Sequence, residues 1–149
     1  AHLFTTAGNP LACASAKETI RIIKDEKLEE NAREIGNYLK KAFEELKNKY
    51  DVIGDVRGKG LLLGIELVKD RETKEPADEF TAMVVYRSFE LGLLFYDAGV
   101  FNNVLEFTPP LIISMEQAKT AVRIVGQAIQ DVLDGKVSKE KVSAFAGWG

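Results

Sequence analysis

The sequence predicts an α+β unit, with helices covering one face of a mainly antiparallel sheet, and three observations lead there. Apolar residues keep a helical spacing over Pro10 to about Asp25, from Leu28 to Leu46, and again after Ser114. Between these blocks the period shortens to that of strands, around Tyr50 to Val68 and Leu93 to Phe107. Glycine, asparagine and proline gather at the joints between blocks, at Arg57-Gly58-Lys59-Gly60, Asp97 to Asn103 and Thr108-Pro109-Pro110. In chain order this gives helix, helix, strand, strand, helix, strand, strand, helix, the pattern of a layered α+β domain.

The first helix is expected to start at Pro10. Asn9 is a good N-cap because its side-chain oxygen can accept from a first-turn amide, and proline suits the position where no donor is missed. Its first half carries small side chains, Ala12, Cys13, Ala14 and Ala16, and is expected to be packed on both sides. The second helix has a single apolar stripe, Leu28, Ala32, Ile35, Leu39, Ala42 and Leu46, too short for a coiled-coil seam. Tyr50 to Val56 and Leu61 to Val68 then read as two antiparallel strands joined by a glycine turn, the second nearly continuous in apolar residues and so expected to be buried on both faces.

Asp70 to Pro76 is charged, has no apolar face and ends in proline, which marks a loop. Phe80, Met83, Val84 and Arg87 restore helical spacing from Ala77 until Gly92. Leu93 to Tyr96 and Val104 to Phe107 are short strands around a turn. Ser114 has the chemistry to cap a last long helix whose buried face is Ala118, Ala121, Val122, Val125, Ile129, Val132 and Leu133, with Gly135 as its stop. The tail from Ser138 is expected to add one helical turn and to dock Phe145 and Trp148.

A chain of 149 residues, 46% of them hydrophobic, can bury one core. A net charge of −3 argues against a nucleic-acid binder, for which a basic surface is the first expectation. No apolar run approaches the roughly 20 residues that cross a bilayer, so no membrane partner is expected. Cys13 is the only cysteine, which excludes an internal disulfide and fits a reducing cytoplasm; His2 is the only histidine, which leaves no material for a histidine metal site or triad. Ala1-His2-Leu3-Phe4 has neither an initiator methionine nor a signal-peptide pattern, and is read as the start of a segment from a longer chain.

The stretch with most chemical content is Thr5-Thr6-Ala7-Gly8-Asn9-Pro10. Two hydroxyls and a glycine before a helix start can offer donors to an anion such as a phosphate, although the same residues also make an ordinary capped helix. With Gly54-Asp55-Val56-Arg57-Gly58-Lys59-Gly60-Leu61 and Pro109-Pro110-Leu111 following in order, the chain resembles the C-terminal part of a class III aminotransferase. These pyridoxal-phosphate-dependent enzymes include the ornithine, acetylornithine and 4-aminobutyrate branches.

The resemblance implies a fold-type I homodimer that binds pyridoxal 5'-phosphate and works on amino-acid and keto-acid substrates. Residues 1–26 would be the end of the large cofactor domain with its connecting helix, and 27–149 the small C-terminal domain. Thr5 would bind the cofactor phosphate of the neighbouring subunit, with Thr6 second. The Schiff-base lysine of the family lies upstream of that motif, so no catalytic residue is assigned and the chain is expected to be inactive alone. Arg57, beside a glycine turn, is read as a structural or interface ion pair ahead of a substrate contact.

Glu106 departs from the family. Relatives with a Val-Leu-Arg-Phe-like strand before Pro-Pro-Leu use that arginine to clasp the substrate α-carboxylate through a planar fork. A carboxylate cannot do this. Either the substrate is held differently, or Glu106 meets a cationic substrate such as ornithine or lysine, or Glu106 is simply paired with a neighbouring Lys or Arg. Tyr96 and Phe101 could line a pocket, but core packing explains aromatics near strand ends at least as well. An aminotransferase acting on an α- or ω-amino acid is the leading reading. An amino-acid racemase or epimerase on the same scaffold is the alternative, and a free-standing α+β ligand-binding or dimerisation module is the reading from a different class.

Overall fold

A computed structural model of the chain describes residues 8–145. Helix α1 spans Pro10–Asp25 and α2 Leu28–Lys49, with Lys27 in the left-handed conformation between them. Asn9 caps α1 as expected, its Oδ1 accepting from the amides of Leu11 and Ala12. The small residues of α1 are exposed, however, and no residue of this helix is buried. Small side chains make a close approach possible, but they do not supply the partner.

Strands β1 (Ile53–Lys59), β2 (Leu62–Leu67), β3 (Tyr96–Ala98) and β4 (Val104–Phe107) form one antiparallel sheet in the order β1-β2-β4-β3. Its buried face carries Val56, Leu63, Ile65, Leu67, Leu105 and Phe107 against α2, α3 (Asp78–Glu90) and α4 (Met115–Leu133). At the centre the rings of Phe43 and Phe107 meet edge to face with centroids 5.5 Å apart, a geometry that suits the aromatic quadrupole. Tyr50 ties the end of α2 to α4 by donating its hydroxyl to the carbonyl of Gly126.

Four further sequence expectations need correction. Strand β2 is buried on one face only: Leu63 is 2% exposed but Leu62 is 63% exposed, and the burial alternates from there on. The sheet is antiparallel with helices on one side, so an apolar run does not imply two covered faces. Strand β1 begins later than Tyr50 and continues through Arg57-Gly58-Lys59, because these residues pair with Gly64, Leu63 and Leu62. The third strand begins at Tyr96 and not at Leu93, since only from there does the chain reach its partners on β4. On α4, Leu133 is exposed, whereas Ile124, Ala128 and Asp131 are buried.

Asp131, 3% exposed at its side chain, accepts from Arg87 of α3, from Gln127 and from Lys136 just beyond the helix. The Lys136 hydrogen bond is the main reason its carboxyl is held low, at about 2, against the opposing cost of burial. A buried charge with three donors locks two helices and the following turn together.

Arg71, in the loop after β2, donates to the carbonyls of Lys47, Tyr50, Asp51 and Ile53, tying that loop to the end of α2 and to the turn into β1. A seven-residue α5, Lys139–Phe145, follows the C-terminal turn. The expected docking of Phe145 and Trp148 concerns side chains outside the described ones. Among the described residues no helix is long and apolar enough to cross a membrane.

Candidate active site

The exposed face of the sheet is ordered in cross-strand rows, because alternate residues of paired strands share a face. One row runs Arg57, Gly64, Glu106, Tyr96 across all four strands. The next runs Asp55, Glu66, Val104, Ala98. Arg57 makes ion pairs with Asp55 at 3.0 Å and with Glu66, and the Glu66 hydrogen bond is the first cause of its raised pKa. Its guanidinium is thereby committed to the β1–β2 side of the sheet. Gly64 stands between it and Glu106 with no side chain to bridge them.

The Glu106 side chain is exposed, and its carboxylate makes no ion pair or hydrogen bond with any described residue. The neighbour that faces it is Tyr96, itself 72% exposed on the edge strand. Both residues line a groove of about 740 Å³ at the end of β4, where the chain leaves the sheet. One side of this groove is the segment after β4, with Pro109, Pro110 and Ile112; the other is the first turns of α4, with Gln117 and Thr120. The start of α4 is fixed by a capping box in which Ser114 and Gln117 bond reciprocally.

The lining is mainly apolar, and its charged members, Glu106 and Glu116, are both acidic. No lysine or arginine lines it. The groove therefore suits an apolar organic body bearing a positive or hydrogen-bond-donating group, and it offers no fork to a carboxylate.

Of the residues singled out in the sequence, Glu106 and Tyr96 come together, and Arg57 sits in a structural ion pair. Phe101 does not line the groove; it lies exposed in the β3–β4 turn. Thr5 and Thr6 lie outside the described residues. The contribution of α4 was missed. The one signal for it was Ser114 with Gln117 three residues later, which fixes where the helix begins but says nothing of what its first turn faces.

Whether the described residues suit pyridoxal phosphate can be tested on two requirements. A phosphate at a helix start needs free amides, but those of Leu11 and Ala12 are taken by Asn9 Oδ1, that of Cys13 by the Asn9 carbonyl, and Pro10 has none. A Schiff-base lysine needs a buried amine of lowered pKa. No described lysine is buried, and Lys69 and Lys136 are shifted upward, first by hydrogen bonds to Glu75 and Asp134. Among the described residues there is thus neither a free amide at the start of α1 for a phosphate nor a buried lysine for a Schiff base.

The four-stranded antiparallel sheet with helices on one face defines an α+β domain, and comparison with known proteins says of which sort. Residues 2–129 match the family described as aminotransferase class-III. An alanine/serine racemase from Pyrococcus horikoshii is 43% identical over 141 residues, which is 95% of this chain and 29% of that protein. A mitochondrial alanine–glyoxylate aminotransferase 2 homolog from Arabidopsis thaliana is 43% identical over 114 residues, 76% of this chain and 24% of that one. An aminotransferase structure from Bacillus anthracis superposes with a TM-score of 0.79 at 40% identity, covering 87% of this chain and 30% of the other. The chain belongs to the class III aminotransferase family, whose members depend on pyridoxal phosphate, and it spans about 30% of the length of the relatives it matches.

Proposed function

We propose that this chain forms the substrate-facing C-terminal part of a pyridoxal-phosphate-dependent aminotransferase that takes an α- or ω-amino acid as donor and a keto acid as acceptor. The observation that carries the reading is Glu106. It is a carboxylate unpaired among the described residues, on the strand before Pro109-Pro110, in a mainly apolar groove that no described lysine or arginine lines. Its role is to receive a substrate ammonium or other donor group while Tyr96, Pro109 and Ile112 enclose the carbon chain.

In this reading Thr5, with Thr6 second, donates to the coenzyme phosphate of a neighbouring subunit in a homodimer. Residues 1–26 go with the cofactor domain and 27–149 form the small domain, a division supported by the absence of buried residues in α1 and by the break at Lys27. The reactive lysine is not among these residues, and the working place of the enzyme is the cytoplasm. The 149-residue chain mixed with pyridoxal phosphate is expected to show no transamination; activity there would overturn this part.

The test of the site is Glu106→Gln in the full-length enzyme. It keeps the shape and removes the charge, so activity toward ornithine or lysine should fall at least tenfold relative to a neutral amino acid, as a charge-assisted hydrogen bond is worth about 1.5–3 kcal/mol. An unaltered profile across amino acids removes Glu106 from the site.

A racemase or epimerase on the same scaffold is the second reading, supported by the racemase relative that matches 95% of the chain. Incubating the full-length enzyme with one chiral amino acid and no keto acid separates the two. Loss of optical activity without keto-acid formation means racemase.

A further inference from the structure

The segment between β4 and α4 has few ways to hold its shape. Pro109 and Pro110 have no amide hydrogens to donate, and its internal bond is the turn from the Ile113 amide to the Pro110 carbonyl at 3.0 Å. One end is set by β4 and the other by the Ser114–Gln117 capping box. The middle is tied to α2 by Asn31, whose Nδ2 donates to the carbonyl of Leu111 at 2.6 Å and to that of Ile113 at 3.1 Å.

Both hydrogens of one amide are thus spent on the two carbonyls that flank residue 112. Ile112, 69% exposed, has little packing of its own to fix it, yet its side chain lines the groove. Asn31 lies in the first turn of α2, its amide bonded to the carbonyl of Lys27 at the helix start. Its neighbours on the same helix approach the β1–β2 turn: a Cβ on Gly36 would stand 2.1 Å from the Gly60 carbonyl oxygen. One end of α2 therefore carries both the hairpin turn and the groove wall.

We propose that Asn31 is a positioning residue: by holding the carbonyls of Leu111 and Ile113 it presents Ile112 to the groove and so sets how large a substrate side chain the site accepts. The inference rests on the reading of the groove as a substrate site. Asn31 touches no substrate. It acts through Ile112.

The experiment is a double-mutant cycle in the full-length, coenzyme-loaded enzyme, with Asn31→Ala, Ile112→Ala and the pair, measured as kcat/KM for isoleucine relative to alanine. Ile112→Ala enlarges the groove and should raise that ratio. Asn31→Ala should raise it about fivefold in the parent, as expected for a lost hydrogen bond, and less than twofold when Ile112 is already alanine. Coenzyme absorbance and Tm are recorded for each variant. A purely structural Asn31 would lower Tm and leave the ratio alone.

If Asn31→Ala does not accumulate as folded protein, Asn31→Leu, which removes both donors at similar side-chain size, must show the same change in ratio. An unchanged or fully additive effect of Asn31, with Ile112→Ala still shifting the ratio, overturns the positioning role alone. No effect from Ile112→Ala, together with none from Glu106→Gln, overturns the groove as substrate site and this inference with it.

Discussion

Replacing Asp131 by Asn tests whether the buried carboxylate at the meeting of α3, α4 and the C-terminal turn stabilises the domain as its geometry requires. The variant keeps the volume and removes the charge. Arg87 still has Glu90 at 2.9 Å and Lys136 still has Asp134 at 2.9 Å, so neither cation is left without a partner. The loss is therefore that of the Asp131 charge itself.

Its size follows from the carboxyl being held at about 2 against an ordinary 3.8, chiefly by Lys136 and then by Arg87 and Gln127. That shift corresponds to about 2 kcal/mol at neutral pH. For a chain of this length the expected fall in Tm is about 4–8 °C.

The pH dependence has a definite sign. A carboxyl whose folded-state pKa is depressed contributes stability that is fully present above 3.8 and disappears as pH falls through about 2. Thermal unfolding of both proteins, followed by circular dichroism between pH 7 and pH 2, should show the full difference at neutral pH and a shrinking one below about pH 4. Other lowered carboxyls such as Asp70 and Glu140 are common to both proteins and cancel. A difference below about 1 °C at pH 7, or one that persists undiminished at pH 2, would refute the argument.

Two further outcomes follow from the packing. Gly36→Ala should cost about 3 kcal/mol or more in denaturant unfolding, since its Cβ would meet the Gly60 carbonyl at 2.1 Å and both are backbone groups that cannot simply rotate away; a near-neutral result would mean that α2 and the hairpin turn do not touch. The alternation of β2 is tested by a pair: Leu63→Ala should cost about 2–5 kcal/mol and Leu62→Ala under about 1 kcal/mol, and equal losses would restore the reading of a strand covered on both faces.

The sequence by itself determined the local elements. Spacing of four and three along Leu28 to Leu46, the Asn9-Pro10 and Ser114-Gln117 starts, and the glycine and proline joints each act within a few residues, so they could be read without knowing what lies across the fold. The family was legible for a related reason: three short motifs in order leave few alternatives. What surrounds an element is a different matter. The run Leu61 to Val68 is apolar whether one face is covered or two, and only pairing with β1 and β4 placed Leu62 outside and Leu63 inside. Glu106 was visible as a departure, but its lack of a partner depended on Arg57 being drawn to Asp55 on its own strand and to Glu66 across the hairpin. Asp131 and Asn31 gave no sign in the sequence of the Arg87 guanidinium and the two carbonyls they meet 44 to 82 residues away. Helix starts and turns depend on contacts close in sequence; burial, ion-pair choice and the shape of a groove depend on contacts that exist only once the chain has closed on itself.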